Sequence, residues 1–393
     1  MFKPMSLPKK SIFYLTIVLF VVLFMEFFSY IAMSYLENKR VVYRPFRDFS
    51  EIEYNEYLNR REQLLGWPVL NLFGMPYDGN FDLSGSRLMP AFPDPDKSPP
   101  CVSLYGDSYT YGAVVADEDS WGNILSTLLN CRVSNFGFIG YGTDQEYIRF
   151  FKNINDKAPV VILGYLSENI LRNVNQYRPL LYCNVVNERF ALKPRFIINK
   201  NGELDLVPLL KPGYQDFLRM VESPEKYLKD EYFIPEGLAG IYKKKPPYIV
   251  SLFKVLSGNF HLKAKFFGIP WYAGFYDKKH PSGALEVTFA IMKQFHKDAT
   301  NAHKRFIVLI IPTVLDLEYY NKYKKWPYIN LKKMLSAEQI EFIDAGPAVA
   351  GYLKDRKPQE LYWQRFHFNK EGEKVLAEIV YVYLKGKQVV ARE

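Results

Sequence analysis

The sequence predicts an α/β fold: a parallel sheet of about five strands with helices packed on both faces. Strands are expected at 102–105, 132–136, 160–165, 306–311 and 340–344; the first is a short apolar run bounded by prolines and a glycine, which reads as a buried strand. Stretches of helical period separate them, near 120–130, 144–155, 284–302, 330–336 and 370–385. Strand and helix in alternation give a parallel sheet, because each crossover helix packs back onto the sheet it left. The chain has 393 residues, 48% of them apolar and 24% charged. That is enough for a packed core in one large domain with additions, or in two domains.

The elements follow in order. Lys9 and Lys10 precede an apolar segment, Ser11–Leu36, broken only by Glu26 and a few hydroxyls. It exceeds the roughly 20 residues that cross a bilayer. Residues 1–10 are then a cytoplasmic tail and 11–36 a transmembrane anchor, with the large domain outside the cytoplasm. A cleaved signal peptide is the alternative, with Ile12–Met25 as its apolar region and Ala32-Met33-Ser34 as an imperfect cleavage site. Glu26 costs on the order of a few kcal/mol if charged at mid-membrane, unless it takes a proton, pairs with another helix or lies near the outer edge. Lys39, Arg40, Arg44 and Arg47 follow the segment and blunt the charge contrast that sets orientation.

Residues 37–100 read as an extended connector, charged around Arg60–Trp67 and ending in the proline-dense "FPDPDKSPP". The main domain runs over 101–386. Within it, 174–283 breaks the alternation. A hairpin over Phe196–Val207, turned at Asn201-Gly202, and a surplus of Lys, Pro and aromatics mark an insertion near the strand ends, a lid or substrate platform. The last helix opens at Asn369 as N-cap and carries Val375, Leu376, Ile379, Val380 and Tyr383 at helical spacing.

Composition narrows the partners. A net charge of +9 favours acidic polymers or anionic headgroups. No basic block with interleaved aromatics matches a nucleic-acid module, which excludes nucleic acid. The 30 Tyr and 30 Phe suit either a deep core or carbohydrate-facing surfaces. Cys101, Cys131 and Cys183 form no C-x-x-C pair, so no zinc site is expected.

Chemistry gathers at the strand ends. After the first strand comes Gly106-Asp107-Ser108. After the second comes "NFGFIGYGTDQ", Asn135–Gln145, with glycines at 137, 140 and 142. After the third comes "LSENILRN" with Asn169, and before the last helix "RFHFNKEG" with His367. In a parallel sheet these four points converge on one edge. A serine hydroxyl needs a base to become a nucleophile, and imidazole is the usual one. A tetrahedral intermediate needs donors aimed at its oxyanion, which the Ser108 and Gly140 N–H groups and the Asn169 amide could supply. Gly-Asp-Ser alone is also ordinary turn composition.

Together "YGDSYTYGAVVADEDSWGNIL", "NFGFIGYGTDQEY", "ENILRNVNQYRP" and "HFNKEG" resemble the SGNH (GDSL-type) hydrolase superfamily. More narrowly they resemble its membrane-anchored bacterial branch associated with surface polysaccharides. The resemblance spans roughly residues 60–385 and is weak across the insertion. It implies a flavodoxin-like three-layer α/β/α sandwich and a serine esterase or O-acyltransferase that uses no cofactor. By position Ser108 is the nucleophile and oxyanion donor, Gly140 and Asn169 further donors, and His367 the base. The implied substrate is an acylated carbohydrate, such as an acetyl ester on a cell-surface glycan, or a small ester. The implied location is the bacterial inner membrane with a periplasmic domain, and a membrane-bound acyltransferase is among the implied partners.

Two departures bear on mechanism. Ile170 stands where the pattern has Asp, and Gln364 stands where an acid lies three residues before the His. An acid orients the imidazole and stabilises its charged form. The readings left open are a Ser–His dyad oriented by Gln364 or a backbone carbonyl, an acid reaching in from Glu360, Asp344 or Asp355, or a scaffold without catalysis that binds glycan or serves assembly. Asp107 reads as a turn brace and Asn135 as a loop brace. Arg172 and Arg178 hold the start of the insertion or bind an anionic substrate. His261, His280, His296 and His303 match no motif. Cys101 and Cys131 precede strands that neighbour one another in the flavodoxin-like order, as a disulfide or as two buried thiols.

Overall fold

The computed structural model describes residues 7–39, 41–70, 80–182 and 188–387. Cys183, residues 1–6 of the amino-terminal tail and residues 71–79 of the connector lie outside the described residues. Nine strands are present among the described residues: β1 (Pro100–Gly106), β2 (Arg132–Asn135), β3 (Val160–Leu166), β4 (Arg195–Ile198), β5 (Leu204–Val207), β6 (Arg305–Ile311), β7 (Phe342–Asp344), β8 (Tyr362–Trp363) and β9 (His367–Phe368). Five of them form one sheet in the order β2-β1-β3-β6-β7, and every pairing in it is parallel.

The central strands β3 and β6 fall where apolar runs are continuous, because helices cover both faces and no solvated side imposes alternation. Helices Trp121–Leu129, Ala345–Leu353 and Lys370–Gly386 pack together on one face. Helices Thr143–Lys152, Ala284–Asn301 and Ile329–Ala337 cover the other. The chain steps from β1 outward to β2 and then back past β1 to β3, so the switch point lies at the carboxyl ends of β1 and β3. That is where an open α/β sheet leaves a crevice.

Several helices carry no clear signal in the sequence. Ala345–Leu353 contains Gly346, Pro347 and Gly351, which read as breakers. Asp344 nevertheless caps it, accepting from the Gly346 N–H at 3.1 Å, and Pro347 sits in the first turn where a proline is tolerated. In the insertion, β4 and β5 form the expected hairpin. Its neighbours Phe217, Met220, Phe233 and Phe275 are buried in the main core.

Residues 37–100 are more than an extended connector. Ser50 caps a helix, Glu51–Arg60, and Tyr43, Phe49 and Tyr54 enter the main core. Asp82 forms a buried ion pair with Arg132, and the Arg87 N–H donates to the Asn135 carbonyl at 2.8 Å. Proline density is confined to the end of this segment, and the aromatics before it bring enough apolar surface to dock.

Cys101 and Cys131 are disulfide-bonded, with Cα atoms 6.1 Å apart, near the amino ends of β1 and β2. The amino-terminal helix spans Leu7–Asn38. Its stretch Lys10–Asn38 is long and apolar enough to cross a membrane, a property it shares with signal sequences.

Candidate active site

The chain turns sharply after β1. Asp107 caps the short helix Ser108–Tyr111, accepting from the Tyr109 N–H at 2.9 Å. The same carboxylate accepts from Arg172 Nη1 at 3.0 Å, and that nitrogen also donates to the Tyr141 carbonyl at 2.8 Å. Gly106 and Gly164 face each other across β1 and β3, and a Cβ on either would strike Thr110. The missing side chains let the helix bearing Ser108 sit directly on the strand ends.

His367 Nε2 lies 2.9 Å from Ser108 Oγ, across 259 residues of sequence. The imidazole stands on β9, beside a tight turn over Trp363–Phe366 whose Phe366 N–H donates to the Trp363 carbonyl at 3.0 Å. Its central residues, Gln364 and Arg365, have φ of 46° and 69°. Left-handed backbone at two non-glycine residues stores on the order of 1–3 kcal/mol each, so the surroundings must hold the turn in place. Tyr109 does so from the serine side: its hydroxyl donates to the Phe366 carbonyl, and its ring lies 5.1 Å from the imidazole. Arg365 pairs with Glu318 at 2.8 Å on the other side.

The acids weighed from sequence are engaged elsewhere. The Glu360 carboxylate accepts from the Lys357 N–H at 3.1 Å. Asp344 takes the Tyr328 hydroxyl at 3.0 Å together with Lys332 and its own helix cap. Asp355 is exposed. Gln364 is exposed on the turn, at the cavity wall. Among the described residues no hydrogen bond or ion pair reaches His367 Nδ1. Burial, reinforced by the Arg172 cation and opposed by Glu168, pushes the His367 pKa down to about 4. The imidazole is therefore neutral at pH 7 and free to accept a proton.

Ser108 and Gly140 both line the cavity that holds the hydroxyl. The Ser108 N–H lies in the first turn of its helix, where no intrahelical acceptor exists. Gly140 has φ of 81°, a left-handed conformation suited to glycine, and Arg178 Nη1 donates to its carbonyl at 2.7 Å. Arg178 also pairs with Glu188 at 2.6 Å. Ser108, Gly140, Arg172, Arg178, Gln364 and His367 all line one cavity of about 570 Å³.

Asn169 is not brought to that cavity. Its amide donates to Glu146 Oε1 at 3.2 Å in the buried interior. Two residues, Ser167 and Glu168, separate it from the end of β3, and it opens the short helix Asn169–Arg172. Leu166, Glu168 and Arg172 form the wall there instead. Burial and the nearby Asp107 charge hold the Glu146 pKa well above the usual carboxylate range.

Other residues of the site escaped the sequence reading. Tyr182 donates to Glu168 at 2.8 Å and accepts from Arg172 Nε at 3.1 Å. Burial disfavours the Arg172 charge, but Tyr182, Asp107 and Glu168 outweigh it and keep the pKa above the ordinary arginine value. His261, which matched no motif, stacks on Trp271 at 4.2 Å in the cavity wall. Tyr109 directly follows the serine, and that position was the available signal for it.

No protein-family model matches the chain, and no curated protein matches it. Among solved structures it is similar to G-D-S-L lipolytic proteins and esterases. One is a member of the lipolytic protein G-D-S-L family from Veillonella parvula, 11% identical, covering 72% of this chain and 97% of that one with a TM-score of 0.36. Another is Axe2, an acetylxylan esterase from Geobacillus stearothermophilus, 13% identical over 75% and 96% of the two chains, with a TM-score of 0.37. A third is the esterase EstA from a Pseudoalteromonas species, 8% identical over 73% and 97%, with a TM-score of 0.33.

Proposed function

We propose that the protein is a serine ester hydrolase of the SGNH type that works with a Ser–His dyad. The observation that carries this reading is the 2.9 Å contact between Ser108 Oγ and a neutral His367 Nε2 at the carboxyl end of a parallel strand. Ser108 Oγ attacks the ester carbonyl carbon while Nε2 takes the hydroxyl proton. The Ser108 and Gly140 N–H groups hold the oxyanion. The intermediate collapses, the leaving alcohol takes the proton from Nε2, and the acyl group stays on Ser108. Water, deprotonated by the same nitrogen, then attacks the acyl-enzyme; the bond to Ser108 Oγ breaks, Nε2 returns the proton to that oxygen, and the acid is released. A sugar hydroxyl in place of water turns the same intermediate into an O-acyl transfer.

The substrate class we assign is a short acyl ester on a carbohydrate, entering over the aromatic wall formed by Tyr182 and Trp271. We assign the helix Leu7–Asn38 as an uncleaved anchor with the domain outside the cytoplasm. The Cys101–Cys131 bond suits an oxidising compartment.

The test is turnover of 4-nitrophenyl acetate. Ser108→Ala is expected to lower kcat by about a thousandfold or more, and equal rates for the two proteins would refute the reading. One observation favours a second reading, a binding protein on this scaffold: His367 Nδ1 lacks an orienting partner among the described residues. That reading predicts polysaccharide binding with no Ser108-dependent turnover.

A further inference from the structure

The carboxylate of Glu26 interrupts the long apolar run of the amino-terminal helix, and it is engaged. It accepts from the Tyr248 N–H at 2.5 Å and the Ile249 N–H at 2.9 Å. These are the first two amides of the helix Tyr248–Gly258. In hydrocarbon an unbonded backbone N–H costs several kcal/mol, and an unpaired carboxylate is costly as well. Joined, each relieves the other, and the positive end of the second helix favours the anion.

The path of the chain around this contact has the form of a dip. Lys244 pairs with Glu37 at 2.9 Å, near the end of the amino-terminal helix. Four residues later Tyr248 is beside Tyr30, ring to ring at 5.1 Å, with its amide on Glu26. The helix then returns, packs Val255 against Met33 and Val42, and ends at Asn259, whose Nδ2 donates to the Val41 carbonyl at 3.3 Å. At 1.5 Å per residue, the descent from the level of Glu37 to that of Glu26 is about 16 Å, roughly half a hydrocarbon core.

The outer face of this dip is apolar and uncovered. Phe253 is 71% exposed, with Val250 and Leu256 exposed beside it. On the following helix, Phe260–Phe267, Phe266 is 84% exposed and Phe267 is exposed next to it. Lys254, Lys263 and Lys265 are exposed among them. Aromatics flanked by lysines that reach for anionic headgroups are the composition of a membrane-facing helix.

We propose that residues 248–267 are embedded in the outer leaflet as a re-entrant and interfacial helix pair seated against the anchor. This rests on the reading of the amino-terminal helix as an uncleaved anchor. It also sets where Ser108 faces. A cavity of about 990 Å³ bordered by Tyr35, Leu36 and Lys39 shares Arg178, Tyr182, His261, Trp271 and Leu315 with the Ser108 cavity. The cleft therefore opens where the anchor leaves the bilayer, and it takes an ester held at the membrane surface.

The experiment uses the full chain in phosphatidylethanolamine–phosphatidylglycerol vesicles, in a Cys183→Ser background. A nitroxide is placed at Phe253→Cys, Phe266→Cys, Phe20→Cys or Leu83→Cys, the last at a residue that is 91% exposed in the segment before β1. Labels at 253 and 266 are expected to meet dissolved oxygen several-fold more readily than an aqueous nickel chelate, as the label at 20 does, with the reverse at 83. If 20 reads as lipid while 253 and 266 read like 83, the proposal is overturned and the anchor stands. If 20 also reads as aqueous, the anchor reading fails and takes the proposal with it. Shielding of 253 and 266 from both reagents would indicate a second copy on this face and would overturn the assignment to lipid.

Discussion

His367 is positioned by packing and by its hairpin, and among the described residues no carboxylate bonds its Nδ1. Its lowered pKa fixes the pH dependence. Only the neutral imidazole accepts the Ser108 proton, and that form persists down to about pH 4. The acid limb of kcat/KM should therefore fall near 4, and a limb at the ordinary value of 6.5 would contradict the burial argument. Between these values the unfolded chain binds a proton that the folded chain excludes. This residue thus makes stability decline as pH falls through that window. Tyr109 is the positioning residue. Tyr109→Phe keeps the ring but frees the Phe366 carbonyl, and kcat should drop by about tenfold, ~1.4 kcal/mol. KM should hold and the melting temperature should shift by no more than about 2–4 °C; an unchanged kcat would remove Tyr109 from the account. At this scale the sequence was informative for Ser108 and His367, which stand in distinctive blocks. The Asn169 block did not name Glu146, the partner its amide meets, because that contact joins positions 23 residues apart.

The loop after the serine helix is clamped by a residue from outside the main domain as the sequence delimits it. Arg87 donates to the carbonyls of Tyr111 and Gly112, the latter at 2.6 Å, and to Val115 at 2.8 Å. It also pairs with Asp117 at 2.8 Å, with only 4% of its side chain exposed. Below it, the Trp121 N–H donates to Glu373, whose pKa burial raises to about 8. Arg87→Ala takes the cation from the half-buried Asp117 carboxylate, which keeps Asn80 at 2.8 Å, and the donors from three carbonyls, and should cost about 3–5 kcal/mol in thermal or denaturant unfolding. Arg87→Lys should recover only part of this, since a single ammonium cannot span the fork. A loss under 1 kcal/mol would show that the clamp is dispensable. The central strands β3 and β6 were the most legible, because they are buried on both faces and read as nearly unbroken apolar runs. The docking of residues 37–100 was not legible, because its determinants are single side chains such as Arg87 and Tyr54, whose partners lie far along the chain.

The whole molecule ties one end of the sheet covalently and brings Ser108 and His367 together at the other. The Cys101–Cys131 bond spans a sequence separation of 30, and closing such a loop restricts the unfolded chain by about 2–4 kcal/mol. Reduction should lower the unfolding free energy by that amount while leaving the Ser108–His367 contact, at the other end of the strands, intact; an unchanged midpoint would argue against the bond. Alternation made a parallel five-stranded sheet readable, and the order β2-β1-β3-β6-β7 agrees with the flavodoxin-like arrangement that the resemblance implied. The docking of Glu26 on the insertion was not, because a lone acid in an apolar run does not name its partner. The central claim is that Ser108 is a nucleophile activated by His367. Peptide mass spectrometry after exposure to a fluorophosphonate tests it most directly. A single phosphonyl adduct on Ser108, absent from Ser108→Ala and formed far more slowly in His367→Ala, is the expected result. Labelling that is indifferent to both substitutions would contradict it.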